Sequence, residues 1–217
     1  MGQNDPLKHP KKAFQLAMRL TDDDVYAGLG PDVEYSGCTG VAVLYDPASK
    51  VLHSANVGDS RAVLGRQNPE TMRPRWEAVP LTADCRPSLP EERERIQLSG
   101  GHVAGNPSRV WDSEACIKPG IAVSRSIGDG CARGVGVIAE PVVSSYSLRP
   151  EDRFLVLASD GLWDALPNDK VVSLVAKFLH LPQVALSALF EQVRRAESEE
   201  CLVDDTTIVL VIFPGPE

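Results

Sequence analysis

Apolar residues follow a helical period in some segments of the chain and a strand-like period in others. The first segment, residues 9–27, predicts a helix that ends near Gly28 and Gly30. Its apolar positions share one face, and they are Phe14, Ala17, Met18 and Val25. We therefore expect a surface helix that buries a single apolar stripe.

The pattern changes to strands between Thr39 and Arg66. Strands are predicted at 41–45, 51–57 and 61–64, and Gly58-Asp59-Ser60 is predicted to form a turn. The connections are short, which favours antiparallel pairing.

A second helix is predicted just after these strands. Ser88 and Glu91 have the spacing of a capping box, in which both side chains bond free N–H groups at a helix start. The helix is expected to run to Leu98 and to stop at Gly100-Gly101.

The second half of the chain predicts more strands and a pair of helices. Strand-like runs lie at 121–124, 154–158 and 207–213, and Pro182 separates two helical patterns between the last two runs. The apolar faces of those helices are Val171, Leu174, Val175, Phe178 and Leu179, and then Leu186, Leu189, Phe190 and Val193. Strands in runs with helices grouped apart favour an α+β sandwich over a parallel βαβ sheet, in one domain over 1–217.

Composition narrows the classes of function. A formal net charge of −8 disfavours binding to nucleic acid, and no apolar run approaches the roughly 20 residues that cross a bilayer. The cysteines contain no C-x-x-C pair and are odd in number: Cys38, Cys85, Cys116, Cys131 and Cys201. We therefore expect neither a disulfide framework nor a zinc site, and an intracellular protein of the cytoplasm or nucleus.

Three aspartates stand where a rigid element meets a loop. Asp160 follows the buried run 154–158, Asp204 precedes the run 207–213, and Asp84 precedes the capped helix. Each alone is an ordinary turn residue. Together they suggest oxygen ligands for a hard cation such as Mg²⁺ or Mn²⁺, because converging carboxylates repel one another unless a cation neutralises them.

Other chemistries are poorly supported. No cysteine has an arginine six positions later, which excludes a cysteinyl-phosphate mechanism with an Arg-bearing loop. The run Gly134–Ala139 matches G-x-G-x-x-A, but Pro141 follows at once and no helix can open there. The chain has neither a Walker-type phosphate loop nor a G-x-S-x-G elbow.

Seven short motifs follow one another along the chain. They are Ser36-Gly37-Cys38-Thr39, Ala55-Asn56-Val57-Gly58-Asp59-Ser60-Arg61-Ala62, Leu81-Thr82-Ala83-Asp84, Glu92-x-x-Arg95-Ile96 with Gly100-Gly101, Ala122-Val123-Ser124-Arg125-Ser126-Ile127-Gly128-Asp129, Ala158-Ser159-Asp160-Gly161-Leu162-Trp163-Asp164 and Asp204-Asp205-x-Thr207. In this order, over roughly residues 10 to 213, they resemble one known family, the type 2C (PPM) metal-dependent serine/threonine protein phosphatases.

The resemblance implies a two-sheet antiparallel β-sandwich flanked by antiparallel helices, with a binuclear Mg²⁺ or Mn²⁺ site. By motif position, Asp160 and Asp204 resemble the metal-ligating aspartates, and Asp84 resembles the aspartate of a third, weaker metal site. The implied reaction is attack of a metal-bridging water on the phosphorus of phosphoserine or phosphothreonine in a protein, without a phosphoenzyme. Phosphorylated proteins would be the partners, and the protein would be a monomer.

The sequence also departs from this family. Type 2C phosphatases begin with a phosphate-gripping Arg, an acidic strand and an Asp-Gly-His-Gly-Gly motif, and these 217 residues contain none of them. No catalytic residue beyond the metal ligands can therefore be assigned. Two hypotheses follow: a phosphatase whose first strands and first metal motif lie upstream, or a non-catalytic pseudophosphatase that binds partners.

Overall fold

The computed structural model describes residues 5–68, 75–200 and 204–214, including the side chains of all of these except 197–200. Its helices are α1 (Pro10–Leu29), α2 (Pro90–Leu98), α3 (Gly130–Arg133), α4 (Asp160–Trp163), α5 (Asn168–Lys177) and α6 (Pro182–Glu200), with a 3₁₀ helix at Gly30–Tyr35. Its strands are β1 (Gly37–Cys38), β2 (Gly40–Asp46), β3 (Val51–Val57), β4 (Arg61–Asn68), β5 (Arg75–Pro80), β6 (His102–Ala104), β7 (Arg109–Trp111), β8 (Pro119–Ile121), β9 (Ile127–Gly128), β10 (Val142–Ser147), β11 (Asp152–Ala158) and β12 (Ile208–Ile212).

The chain divides into two compact units. The first comprises Met1–Ala42, Ala55–Asp59 and Ala83–Ser144, and the second comprises Val43–Ser54, Ser60–Thr82 and Ser145–Glu217. Strands β10, β3 and β2 form a three-stranded sheet. The expectation of one domain over 1–217 stays a prediction.

The second unit is built on a four-stranded antiparallel sheet. Its order is β12-β11-β4-β5, and Ala158 at the end of β11 pairs with Ile208 at the start of β12. The sheet packs its apolar side chains with those of α4, α5 and α6. The buried residues of this core are Val63, Phe154, Val156, Ala158, Leu162, Trp163, Leu166, Val171, Val172, Val175, Ala185, Leu189 and Val193.

The first unit contains two smaller antiparallel sheets. Strands β1 and β9 pair with each other, and β6, β7 and β8 form the other sheet. Helix α2 packs on β6, and its Ile96 belongs to a small core that also contains Val103, Val110, Ala132 and Val137. The predicted α+β class with antiparallel sheets is confirmed.

Most of the predicted elements are present. β3 has the predicted bounds, β11 contains the predicted run 154–158, and α5 buries the face expected of it. The face predicted for α6 is only partly right: Leu189 and Val193 are buried, but Leu186 and Phe190 are half-buried, and Ala185 completes the buried face instead. Phe178 and Leu179 lie just beyond the end of α5, where they still contact the core. Pro182 occupies the first turn of α6, a position that needs no backbone N–H.

The predicted buried stripe of α1 is wrong. Phe14, Met18 and Val25 are only half-buried, Ala17 is exposed, and no residue of the helix is buried. In the described part of the chain α1 contacts mainly the 3₁₀ helix and β9. Polar contacts hold it there, because Asp22 accepts hydrogen bonds from the Gly128 N–H at 2.8 Å and the Arg133 guanidinium at 2.6 Å.

The boundaries of α2 are partly as predicted. The residue at the N-cap is Leu89, and no side chain caps it, so the expected capping box at Ser88 is wrong. The helix instead begins on Pro90, whose φ is already helical. Its end is as predicted: Gly100 has a φ of +83°, and the N–H groups of Gly100 and Gly101 bond the carbonyls of Gln97 and Ile96.

The strand predicted at 121–124 is also wrong beyond its first residue, since β8 ends at Ile121. Polar contacts direct the following segment elsewhere. The N–H of Ser124 donates to the Cys85 carbonyl at 2.9 Å, and its hydroxyl donates to the Glu92 carboxylate at 2.5 Å.

Candidate functional site

Two of the three predicted aspartates lie at the same edge of one sheet. Because Ala158 pairs with Ile208, the segment that follows β11 meets the segment that precedes β12. Asp160 opens α4 directly after β11, and Asp204 stands in the segment leading into β12. The pairing of antiparallel strands therefore brings these distant carboxylates together.

Ser159 joins the two segments. Its N–H donates to the Thr207 carbonyl at 3.1 Å, and its hydroxyl accepts a hydrogen bond from the Thr207 N–H at 3.0 Å. The same hydroxyl lies 3.2 Å from the Asp205 carbonyl, to which it donates. Asp160 and Asp204 thus stand on segments that hydrogen bonds hold in fixed register.

Gly161 allows the closest approach between these segments. A β-carbon at this position would stand 2.5 Å from Thr206 Oγ1 and 2.8 Å from the Asp205 carbonyl oxygen. The second of these atoms is backbone and cannot move aside independently. A side chain at Gly161 would therefore push Asp160 away from the Asp204 segment.

The surroundings of Asp160 destabilise the charged form of its carboxylate. Burial raises its pKa, and the carboxylates of Asp204 and Asp164 raise it further. Asp204 is exposed at the surface, and its Oδ1 accepts a hydrogen bond from the Asp205 N–H at 2.8 Å. Several carboxylates therefore lie close together at this edge of the sheet.

Asp164 is a residue of this site that the sequence analysis did not select. Its N–H donates to the Asp160 carbonyl at 2.8 Å, which is one helical turn. The i, i+4 spacing of two acids in Asp160–Asp164 was the available signal, because residues four apart share a helix face.

The third predicted ligand, Asp84, belongs to the first unit. It is half-buried and forms an ion pair with Arg86, with 3.3 Å between Arg86 Nε and Asp84 Oδ2. Hydrogen bonds hold its loop on both sides: Asn56 donates to the Ala83 carbonyl at 3.0 Å, and the Cys85 N–H donates to the Gly58 carbonyl at 2.8 Å.

The described cysteines are free thiols, whereas Cys201 lies outside the described residues. Cys85, next to Asp84, is buried, and burial raises its pKa to about 11. A thiol of this kind is neutral near pH 7, so Cys85 is a packed side chain and not a nucleophile.

The acids of the second unit fit a hard cation as part of a ligand set. Their donors are all oxygen, and a dication would relieve the repulsion that raises the pKa of Asp160. Among residues 5–68, 75–200 and 204–214, however, no three His, Cys, Asp or Glu side chains form a group able to hold a metal ion. Further ligands would have to complete the shell.

Comparisons with known proteins identify the family to which the chain belongs. The family model described as Protein phosphatase 2C matches residues 3–202. The chain therefore belongs to the protein phosphatase 2C family, and the resemblance seen in the sequence motifs is confirmed.

Two curated relatives come from plants. The chain is 36% identical over 216 residues to "Probable protein phosphatase 2C 48" of Oryza sativa subsp. japonica, covering 95% of this chain and 60% of the relative. It is 37% identical over 215 residues to "Probable protein phosphatase 2C 72" of Arabidopsis thaliana, covering 95% of this chain and 63% of the relative. The chain thus spans about 60% of the length of these relatives.

Solved structures confirm the fold. The serine-threonine phosphatase 2C of Toxoplasma gondii matches with a TM-score of 0.80 at 20% identity, over 98% of this chain and 72% of that one. A sex-determining protein of C. elegans matches with a TM-score of 0.77 at 20% identity, over 98% of this chain and 49% of that one. The chain thus has the sandwich-type α+β fold of the 2C phosphatases. Of the helices described here, none has the length and apolar character that a bilayer-spanning segment needs.

Proposed function

We propose that this chain forms part of a phosphatase that hydrolyses phosphoserine and phosphothreonine in proteins with Mg²⁺ or Mn²⁺. Asp160 and Asp204 are the proposed ligands of the main metal site, and Asp84 is proposed to serve a further, weaker one. The observation that carries the proposal is the meeting of Asp160 and Asp204 at the paired ends of β11 and β12. Because the chain spans about 60% of its relatives, the proposal concerns the whole protein.

In this proposal the residues of the chain would position the metal ligands and balance the charge of the metal ion. Ser159 holds the two segments in register, and Gly161 lets them approach, so that Asp160 and Asp204 can face a shared cation. When bound, the metal would neutralise phosphoryl charge and lower the pKa of a water molecule. Asp164, one turn after Asp160, would add negative charge beside the cation.

The test replaces the two ligands in the full-length phosphatase. Asp160→Asn and Asp204→Asn each keep the side-chain shape but remove the anion, and each should lower Mn²⁺-dependent hydrolysis of a phosphothreonine peptide about 100-fold or more. Asp205→Asn is the matched control, since it removes a neighbouring charge, and its rate should stay within about threefold. Unchanged rates at limiting Mn²⁺ in both ligand variants would reject the assignment.

A second candidate is a pseudophosphatase that binds partners without hydrolysis. It is favoured by the observation that the described part of the chain holds no group of three side chains suited to a metal ion. Titration of the full-length protein with Mn²⁺ distinguishes the two functions. Hydrolysis that rises with bound Mn²⁺ supports the enzyme, whereas a folded protein that binds a phosphothreonine peptide and leaves it intact supports the pseudophosphatase.

A further inference from the structure

The second unit carries a groove that none of the three proposed metal ligands lines. Its volume is about 430 Å³, within the range of ligand-binding clefts. Its apolar wall includes Trp76, Phe178 and Leu181, and its cationic side chains are Arg153 and Lys177.

Ring packing and backbone hydrogen bonds hold the apolar wall of this groove in place. Trp76, on β5, packs against Phe154 of the core with 5.5 Å between ring centroids. After α5 ends, hydrogen bonds shape the chain: the Phe178 N–H donates to the Val175 carbonyl at 3.0 Å, and the Leu181 N–H donates to the Phe178 carbonyl at 2.8 Å. Leu181 nevertheless remains 57% exposed, which leaves apolar surface for a ligand.

The charge of the groove is opposite to that of the chain. The formal net charge of the protein is −8, yet no Asp or Glu is found among the described residues that line the groove. A lysine in the last turn of a helix also complements the helix dipole, which accounts for Lys177 alone. Arg153 lies on β11, so the helix dipole does not explain its charge in the groove.

Arg153 has unused capacity to donate. One nitrogen, Nη1, donates to Gln67 Oε1 at 2.9 Å. The Nε of the same guanidinium is buried and has no acceptor among the described residues. Because the Nε is shielded from solvent, a ligand in the groove would bond the other nitrogens of the guanidinium, and a carboxylate is the acceptor that a guanidinium binds best.

We propose that this groove is a docking site for an acidic protein segment that carries a bulky apolar side chain. The apolar side chain would pack against Trp76 and Phe178, while flanking carboxylates would accept hydrogen bonds from Arg153 and Lys177. The charge complementarity selects acidic segments, and the apolar wall selects among them. The site requires no phosphatase activity and no metal.

The test measures binding of short fluorescent peptides to the full-length protein tethered to a biosensor surface. The probe is the acidic peptide Glu-Asp-Phe-Asp-Glu. One comparison peptide replaces its acids with Gln and Asn, and the other replaces its Phe with Ala. We expect the probe to bind about tenfold or more tightly than either, since each loses one of the two interactions. Equal affinities for the three peptides, or no binding of the probe at millimolar concentration, would overturn the proposal.

Variants connect the binding to the groove. Lys177→Glu should weaken binding of the probe about tenfold, whereas Lys170→Glu, the same change on the same helix but outside the groove, should alter it less than about twofold. Arg153→Gln is a second variant and should also weaken binding of the probe about tenfold. Equal effects of the changes at Lys177 and Lys170 would show that only the net charge of the chain matters and would reject the site.

Discussion

At the scale of single residues, one buried carboxylate organises the first unit. Glu92 is only 5% exposed, yet it receives hydrogen bonds from Arg125 at 2.7 Å, Arg95 at 2.8 Å and Ser124 at 2.5 Å. Burial by itself raises the pKa of Glu92, but these hydrogen bonds outweigh burial and lower it from 4.5 to about 2. Both arginines also donate to backbone carbonyls, so the cluster joins α2 to residues 124 and 136–140.

The residue-scale prediction concerns the dependence of stability on pH. The folded-state pKa of Glu92 lies below its ordinary value, so its contribution to stability is complete above about pH 4.5 and is lost as pH falls towards 2. A shift of this size corresponds to about 3 kcal/mol. Urea unfolding at a series of pH values should show this loss in the natural protein and a smaller one in Glu92→Gln.

The control for that prediction is Glu91→Gln, which changes an exposed carboxylate in the same first turn of α2. Its free energy of unfolding should follow the natural protein at every pH. Glu92→Gln should also be less stable at pH 7, because it leaves two guanidinium groups without their anion. An acid-induced loss of the same size in all three proteins would contradict the role of Glu92.

At the scale of elements, α6 shows how an amphipathic pattern becomes a buried face. Ala185, Leu189 and Val193 are buried against α5 and the sheet, and they recur every four residues. Leu181 and Val184, near the start of the same helix, are exposed at 57% and 43%. Helix α1 has similar apolar residues, but it contacts too little of the described chain to bury any of them.

The element-scale prediction is that Leu189→Ala will destabilise the protein by about 2–5 kcal/mol, because the removed atoms leave a cavity in the core. Val184→Ala, on the same helix, is the control and should cost less than about 1 kcal/mol. Denaturant unfolding measures both. Similar losses in the two variants would show that the packing of α6 is not as described.

At the scale of the whole molecule, apolar surface remains exposed in each unit. On β12, an edge strand of the four-stranded sheet, Val209 and Val211 are 51% and 40% exposed. In the first unit, Leu16 and Leu20 of α1 are each 49% exposed. Exposed edges and apolar faces of this kind favour association.

We therefore predict that the chain from Met1 to Glu217, expressed alone, will associate and will bind Mn²⁺ weakly. Light scattering after size exclusion should show species larger than a monomer. Millimolar Mn²⁺ should leave the unfolding temperature nearly unchanged, since ligand-linked stabilisation requires a formed site. A monodisperse monomer that unfolds cooperatively and gains several degrees with Mn²⁺ would refute this prediction.

The sequence by itself determined the elements whose signals are local. The apolar run 154–158 and the helices α5 and α6 follow from periodicity, and the end of α2 at Gly100 follows from the need for a left-handed residue there. The α+β class followed from their order. The motifs around Asp160 and Asp204 indicated the family, because each carries a specific residue pattern over only a few positions.

Only the tertiary structure decided which residues meet. β5 and β10 were not predicted, because both are rich in charged or polar residues whose partners lie on other strands. Glu77 of β5 pairs with Arg66 of β4, and the Ser145 hydroxyl of β10 lies 2.8 Å from His53 Nδ1 of β3. The nearness of Asp204 and Asp164 to Asp160 rests on the register of β11 with β12 and on one turn of α4. The groove at Trp76 and Arg153 likewise joins residues far apart in the chain. Such contacts depend on long-range pairing, which no local pattern specifies.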